Sequence, residues 1–458
     1  MDTASLVSAW NALLLQLCCV FTEPTAEVWR QIALGWVLHR GPATVTGIFR
    51  TLGRLADRHW TVYQKFFYRA AWALDALSRA LLIHVVAPMI LESGAINPVS
   101  GKPVVDLAID DTTAARYGKH VAHAGWFKDA SAAGQATKGT VIHWAHNWIV
   151  GAVTLRLPRW PLIRWVLPVA FCLYRKPADC DRRHSFHTRQ VLAARMVRQV
   201  AEALPDIEIR VAADGQYAAR DMVKGLPPGA NLVSRIRSDA ALYALPPARR
   251  PSGRRGRTPK KGRRLPTPRQ MAARRKKGWK RITLLKQGRT VERLVLGITC
   301  LWYHVCRDVP IRPVIVRDPA GREKDDFFFS TDATVPDAQI AQRAGDRWGV
   351  EEAILEAKQQ LGFEDTRGWC SKTVNRQAPL AMVLVTLVKA WYARCAAAEP
   401  SLAPESTPWH TKTRPSFADM LAALRRVLWQ HRISPKSTFS ARVQEILDTV
   451  AYALFAAA

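Results

Sequence analysis

Acidic residues are scarce in this chain. Asp and Glu number 37 against 67 Lys and Arg, a net charge of +30 over 458 residues, and between positions 240 and 291 there is no acid at all. An ordinary metabolic enzyme has no use for such an excess. A polyanion partner, most simply nucleic acid, accounts for it, and a membrane-surface role is the rival reading. The eight cysteines include no C-x-x-C pair. That excludes the common zinc sites and a disulfide framework, and fits reduced thiols in a cytoplasmic protein. "HVAHAG" (His120, His123) and "HSFH" (His184, His187) lack the partner ligands a metal needs. No run of 18 uncharged apolar residues occurs, so no membrane partner is expected. The start "MDTASLVSAW" lacks the charged-then-apolar order of a secretory signal. No G-x-G-x-x-G is present, which removes the dinucleotide-binding fingerprint.

Apolar residues are plentiful, 48% of the chain, so a folded protein of two or three domains with a sizeable core is expected. Residues 1–95 have helical periodicity throughout. "AEVWRQIALGWVLHR" breaks at Gly41-Pro42 and resumes at "TVTGIFRTLGRL", like a helix-turn-helix. Thr44, Thr46, Arg50, Arg54, Lys65 and Arg69 would then meet DNA, and 1–95 is expected to be a DNA-binding domain. From about residue 104 the pattern changes. "VVDLAID", "HWAHNWIVGAVTLRL" and "PLIRWVLPVAFCLY" have the character of strands, "TRQVLAARMVRQVAEAL" that of an amphipathic helix, and "IEIRVAAD" and "ANLVSRIR" that of further strands. Three strands, a helix, a strand, a helix and a strand predict an α/β core of the ribonuclease H-like type over 96–239.

The acid-free stretch "ARRPSGRRGRTPKKGRRLPTPRQMAARRKKGWKR" is expected to be a loop or arm, partly disordered without its partner, with Arg254, Arg255, Lys260 and Lys261 as phosphate contacts. It opens a β-rich insertion, 240–335. Helix returns in 336–395, where "RWGVEEAILEAKQQLG" places Val350, Ala353, Ile354, Ala357 and Leu361 on one stripe and Arg347, Glu351 and Lys358 on another. A helical region, 396–458, closes the chain.

Three acids stand out by position. Asp111 ends the first strand of the core, Asp214 ends the fourth, and Glu351 lies on the helix after the insertion. Strand ends are where open α/β sheets present ligands. Three carboxylates there need cations to share the site. Two Mg²⁺ about 3.5–4 Å apart would polarise a phosphodiester and deprotonate a water or a 3′-hydroxyl. Oxygen-only ligands suit Mg²⁺ or Mn²⁺ and not zinc.

With "IDDTT", "VAADGQYA" and "RWGVEEAILEAKQQLG" the chain resembles the bacterial insertion-sequence transposases with a D-D-E triad, in the branch marked by a Tyr-Arg-Glu-Lys signature. The resemblance implies that the acid directly before Thr, Asp111, is the first metal ligand, with Asp110 its neighbour. Asp214 and Glu351 complete the triad, and Arg347 and Lys358 are the signature's cations. Where the family has its Tyr, this chain has Ala344. The implied activity is Mg²⁺-dependent cleavage at the ends of an insertion sequence and joining of the 3′-hydroxyls to target DNA, with Mn²⁺ as a substitute. The implied partners are double-stranded DNA, as terminal inverted repeats and target, and a second copy in a homodimer. The implied location is the bacterial cytoplasm, at the nucleoid. A catalytically silent DNA-binding repressor or structural protein derived from a transposase is the alternative. It predicts a broken triad, and all three acids are present.

Overall fold

The computed structural model describes residues 2–128, 141–180, 185–247, 259–286, 289–404, 406 and 411–433, with isolated positions from 443 to 454. Arg254 and Arg255 lie outside the described residues, as does most of the last expected helix.

One mixed sheet organises the chain. β1 (Val104–Ala115) is its axis. β3 (Ile142–Leu157) runs antiparallel to β1, and β4 (Trp160–Tyr174) antiparallel to β3, while β2 (Gly125–Lys128) pairs with the first residues of β3. On the other side β5 (Glu208–Ala213) runs parallel to β1, and β6 (Asn231–Arg235) parallel to β5. The order β4-β3-β1-β5-β6 is consistent with a ribonuclease H-like core. The sheet then continues through β11 (Asp326–Ser330), β10 (Pro310–Arg317), β8 (Arg289–Gly297) and β7 (Lys280–Lys286), all antiparallel, with the short β9 (Cys300–Leu301) beside β10. The β-rich insertion therefore extends the same sheet through the pairing of β11 with β6.

Among the described residues, part of the acid-free arm takes regular structure. Thr267 and Gln270 form a reciprocal capping box on a short helix, Pro268–Arg274. β7 follows and finds its partner in β8. Like charge did not prevent pairing, because Arg281 meets Glu292 across the two strands at 2.7 Å.

Helices cover both faces. The helix Arg189–Ala203, capped by Thr188, lies on one face, where Gly151 lets the Met196 sulfur approach. A Cβ at Gly151 would stand 2.7 Å from that sulfur. The helices Asp337–Asp346 and Gly349–Leu361 lie on the other face. The 25-residue helix Ser371–Cys395 is buried almost throughout. It carries Thr386 to the Pro168 carbonyl and Lys389 to the Val166 carbonyl, both on β4.

The N-terminal helices (Thr3–Gln16, Glu23–Leu38, Val45–Leu52, Trp60–Tyr68 and Leu74–Glu92) share a single core with the sheet and the late helices. The last of these passes through a π-helical stretch, Leu81–Val86, just ahead of Pro88, whose missing N–H breaks the α pattern. Trp36 donates to the Leu361 carbonyl at 2.8 Å, Trp391 to the Leu6 carbonyl at 3.0 Å, and Arg425 to the Val37 carbonyl at 2.6 Å. The expected boundary near residue 95 thus crosses a continuous core. Three stretches, Thr3–Val20, Leu74–Glu92 and Ser371–Cys395, are long and apolar enough to cross a membrane by length and composition, and the last is 94% buried inside the fold.

Candidate active site

Strand periodicity separates the two adjacent acids of β1. Successive side chains point to opposite faces. Asp106 makes an ion pair with Arg210 at 3.0 Å, and the two are register partners on the parallel strands β1 and β5. Arg343, on the helix Asp337–Asp346, reaches the same Asp106 at 3.3 Å. The even-numbered positions of β1 therefore face that helix and its successor. The odd-numbered Leu107 packs near Met196 and Gly151 on the opposite face.

Asp110 follows this pattern. Its carboxylate accepts from Arg347 at 2.6 Å, and Arg347 also holds Glu351 at 2.9 Å. Burial pushes the Asp110 carboxyl up to about 7, with Arg347 opposing and Glu351 and Asp111 adding to the rise. β5 carries the second acid to the same place. Register pairing runs as far as Ile109 with Ala213, so Asp214 is the next residue beside Asp110, and its backbone is still extended. Its carbonyl accepts from Ser234 at 2.9 Å, which ties the end of β5 to β6.

Asp111 points the other way. It accepts from Asn147 at 2.8 Å and from Gln216, with Arg189 at 3.7 Å. The motif reading expects Asp111 beside Glu351. The fold puts Asp110 there, because adjacent residues of a strand cannot share a face. Asn147, Gln216 and Arg189 are the neighbours of Asp111 that sequence reasoning did not name. Gln216 could have been found two residues after Asp214, whereas Asn147 and Arg189 carry no signal in the sequence.

The cations of the Glu motif are engaged within the protein. Arg347 stands at the junction of two helices and bridges the two carboxylates. Lys358 donates to the Thr113 carbonyl at 2.7 Å and meets Glu364 at 2.8 Å. Ala344 is buried in a small cluster with Val233, Val295, Val314 and Ile340, a core position where a small side chain brings the helix close to the strands. Thr44 caps the helix Val45–Leu52 by accepting from the Gly47 N–H at 3.0 Å, while Thr46 and Arg50 are exposed on that helix. Lys260 is exposed, and Lys261 is exposed over the Tyr243 ring at 4.1 Å.

Among the described residues no three His, Cys, Asp or Glu side chains converge as a ready metal cluster. Asp110 and Glu351 are drawn together through Arg347 instead. The available donors still suit a hard cation, being carboxylate oxygens only. The Tyr217 hydroxyl adds a sign of an incomplete site. It is fully buried, has no hydrogen-bond partner, and feels the charges of Asp111, Asp110 and Asp214. Beside Arg347 opens a cavity of about 400 Å³, bordered by Ala213, Ser234, Arg235, Trp348 and Glu352.

A profile of the DDE superfamily endonucleases matches residues 16–291, from the first helix into β8, and spans Asp110, Asp111 and Asp214. Glu351 lies beyond the matched span, so its place rests on the geometry. No curated protein matches the chain. Such a family implies a DNA-cutting enzyme of the transposase-like kind, and its members generally use divalent metal ions. With the match covering more than half of its length, the chain belongs to the DDE superfamily endonucleases.

Proposed function

We propose that this endonuclease is the transposase of an insertion sequence. It cuts the element's ends and joins them to target DNA. The observation that carries the reading is Arg347 holding Asp110 of β1 and Glu351 of the helix Gly349–Leu361 together, with Asp214, the residue after β5, brought next to Asp110 by the pairing of β1 and β5. In cleavage a water oxygen attacks the phosphorus and the P–O3′ bond breaks, leaving a 3′-hydroxyl. In joining, that 3′-oxygen attacks a target phosphorus and a target P–O3′ bond breaks. Divalent ions, Mg²⁺ or Mn²⁺, held by these carboxylates would supply Lewis-acid polarisation of the phosphate. The chain's own groups orient the reaction. Arg347 neutralises Asp110 and Glu351 and, with DNA bound, faces its phosphates from the wall of the cavity. Lys358 anchors its helix to β1, and Lys260 and Lys261, with Arg254 and Arg255, add charge for the backbone. Thr44 caps the helix proposed to recognise the terminal repeats, and Thr46 and Arg50 lie on it.

Asp214→Asn and Glu351→Gln test the reading. Both proteins should bind DNA as the parent does and lose Mg²⁺-dependent nicking. Near-parental nicking by either removes that residue from the site.

A further inference from the structure

Farther along β1, the face that carries Asp110 ends among exposed aromatic rings. Register partners on antiparallel strands share a face. Asp110, Thr112 and Ala114 of β1 pair with Val150, Trp148 and His146 of β3, and Trp144, next in that alternation, pairs with Trp126 of β2. Trp126 therefore stands on the Asp110 face, its ring centre 5.6 Å from that of Trp144. Arg116, just past the end of β1, lies about 20 Å from Asp110 at about 3.4 Å per residue. Its backbone N–H donates to the Trp144 carbonyl at 2.8 Å, so Arg116 and Trp126 flank the same residue. Two loops meet there. The Ala122 N–H donates to the Trp369 carbonyl at 2.9 Å, and the His123 ring contacts the Ser371 hydroxyl at 2.8 Å. His123 has φ 62°, a left-handed conformation uncommon outside glycine, and the contact between the loops holds it. Between the loops lies a cavity of about 50 Å³ bordered by Arg116, Tyr117, Thr366 and Arg367. Around it Tyr117 is 80% exposed, Trp369 69% and Trp126 58%.

The charges beside these rings identify what covers them. Positions 116–128 hold Arg116, Lys119 and Lys128 and no acid, and positions 366–375 hold Arg367 and Lys372 and no acid. Glu364 also borders the cavity, but Lys358 pairs with it at 2.8 Å. Arg116 is buried, and its Nη2 has no hydrogen-bond partner. A polyanion that also presents flat apolar faces suits such a surface. Duplex DNA offers phosphates, but its base faces are stacked inside the helix. A single strand offers both, with bases on the aromatic rings and phosphates on the cations. We propose that Tyr117, Trp126 and Trp369, with Lys119, Lys128 and Arg367, bind an unpaired stretch of DNA strand running from the acids along the end of β1. The proposal rests on the reading of the chain as an enzyme that processes DNA ends, and it adds a surface for the strand that cutting leaves without its partner.

The test is fluorescence anisotropy of the full-length chain with three labelled DNAs: a single strand, a strand of equal charge in which abasic sites replace most bases, and a duplex. The proteins compared are the parent, Trp126→Ala with Trp369→Ala, and Trp126→Phe with Trp369→Phe, each checked for folding by circular dichroism. The parent should prefer the intact strand to the abasic one by about tenfold or more. The alanine protein should lose that preference and the phenylalanine protein recover most of it. Duplex affinity should stay within about threefold in all, with the salt dependence unchanged, because the phosphate contacts remain. No preference in the parent, or its survival in the alanine protein, overturns the assignment. Equal weakening on all three DNAs also overturns it, since that marks a loss of charge contacts or of the fold. Joining of DNA ends by the parent is scored separately. Joining with a surviving preference in the alanine protein removes this surface and leaves the transposase reading standing. A preference lost in the alanine protein with no joining by the parent keeps the surface and removes that reading.

Discussion

Arg347 is predicted to be energetically coupled to Asp110, weakly to Glu351 and not at all to Asp111. The arm to Asp110 is 2.6 Å long, and the two side chains are 11% and 14% exposed. Removing one partner of a buried pair leaves an uncompensated charge, a cost of about 3–5 kcal/mol when burial is complete. The Asp110 carboxyl, already raised to about 7, escapes part of that cost by taking up a proton. A loss of about 2 kcal/mol for this arm is therefore expected. The arm to Glu351 is 2.9 Å long, but Glu351 is 37% exposed, so solvent screens it to about 0.5 kcal/mol. The assay is urea unfolding of Arg347→Ala alone and combined with Asp110→Asn, Glu351→Gln or Asp111→Asn. The coupling to Asp110 should be about 2 kcal/mol, that to Glu351 about 0.5, and the Asp111 combination additive within about 0.5. Equal coupling to Asp110 and Asp111 would refute the separation of the two acids onto opposite faces, and with it the geometry proposed for the site.

Three further outcomes are expected. Replacing Arg254, Arg255, Lys260 and Lys261 with Ala should weaken binding to all DNA sequences alike and flatten the dependence of log affinity on log salt by roughly 0.9 per lost phosphate contact; an unchanged slope would return the segment to a solvated linker. Thr46→Ala with Arg50→Ala should reduce the preference for terminal-repeat DNA over random DNA in gel-shift competition, since both side chains are exposed on one short helix, and an intact preference would move recognition elsewhere. His146 is buried, accepts from Arg116 at 2.9 Å and contacts the Ala122 carbonyl at 2.8 Å, and burial lowers its pKa to about 3. Its folded value is below the unfolded one near 6.5, so its stabilising effect is complete above 6.5 and is lost as pH falls toward 3, by up to about 1.4 kcal/mol per pH unit. Denaturant midpoints of His146→Gln should fall less steeply over that window than those of the parent, and parallel profiles would contradict the assignment.

Much of this arrangement is legible in the sequence, because apolar periodicity marks buried faces. The runs around Val105, Ile149 and Val169 form the strands they resemble, and the stripe from Val350 to Leu361 packs as expected. What the sequence hides depends on partners far along the chain. Two adjacent acids look equivalent until β5 and its register define a face for each. The segment Lys280–Lys286 is a strand because β8 pairs with it, and its own charges say the opposite. Lys358 resembles a free cation until Thr113 and Glu364 are brought against it. The N-terminal helices read as a separable unit, yet Trp36 bonds to Leu361 and Arg376 to Phe67, contacts across about 300 residues of sequence that no local pattern announces.

Joining, more than cutting, is the central claim, since many nucleases cut. The direct measurement supplies the full-length protein with a labelled DNA end carrying a free 3′-hydroxyl, taken from the DNA flanking its gene, together with a supercoiled target plasmid and Mg²⁺. The account predicts label covalently joined to the plasmid by the parent protein and none by Glu351→Gln, which still binds the end. A parent that nicks the plasmid and never joins the label would contradict it, leaving a DDE nuclease without transposition.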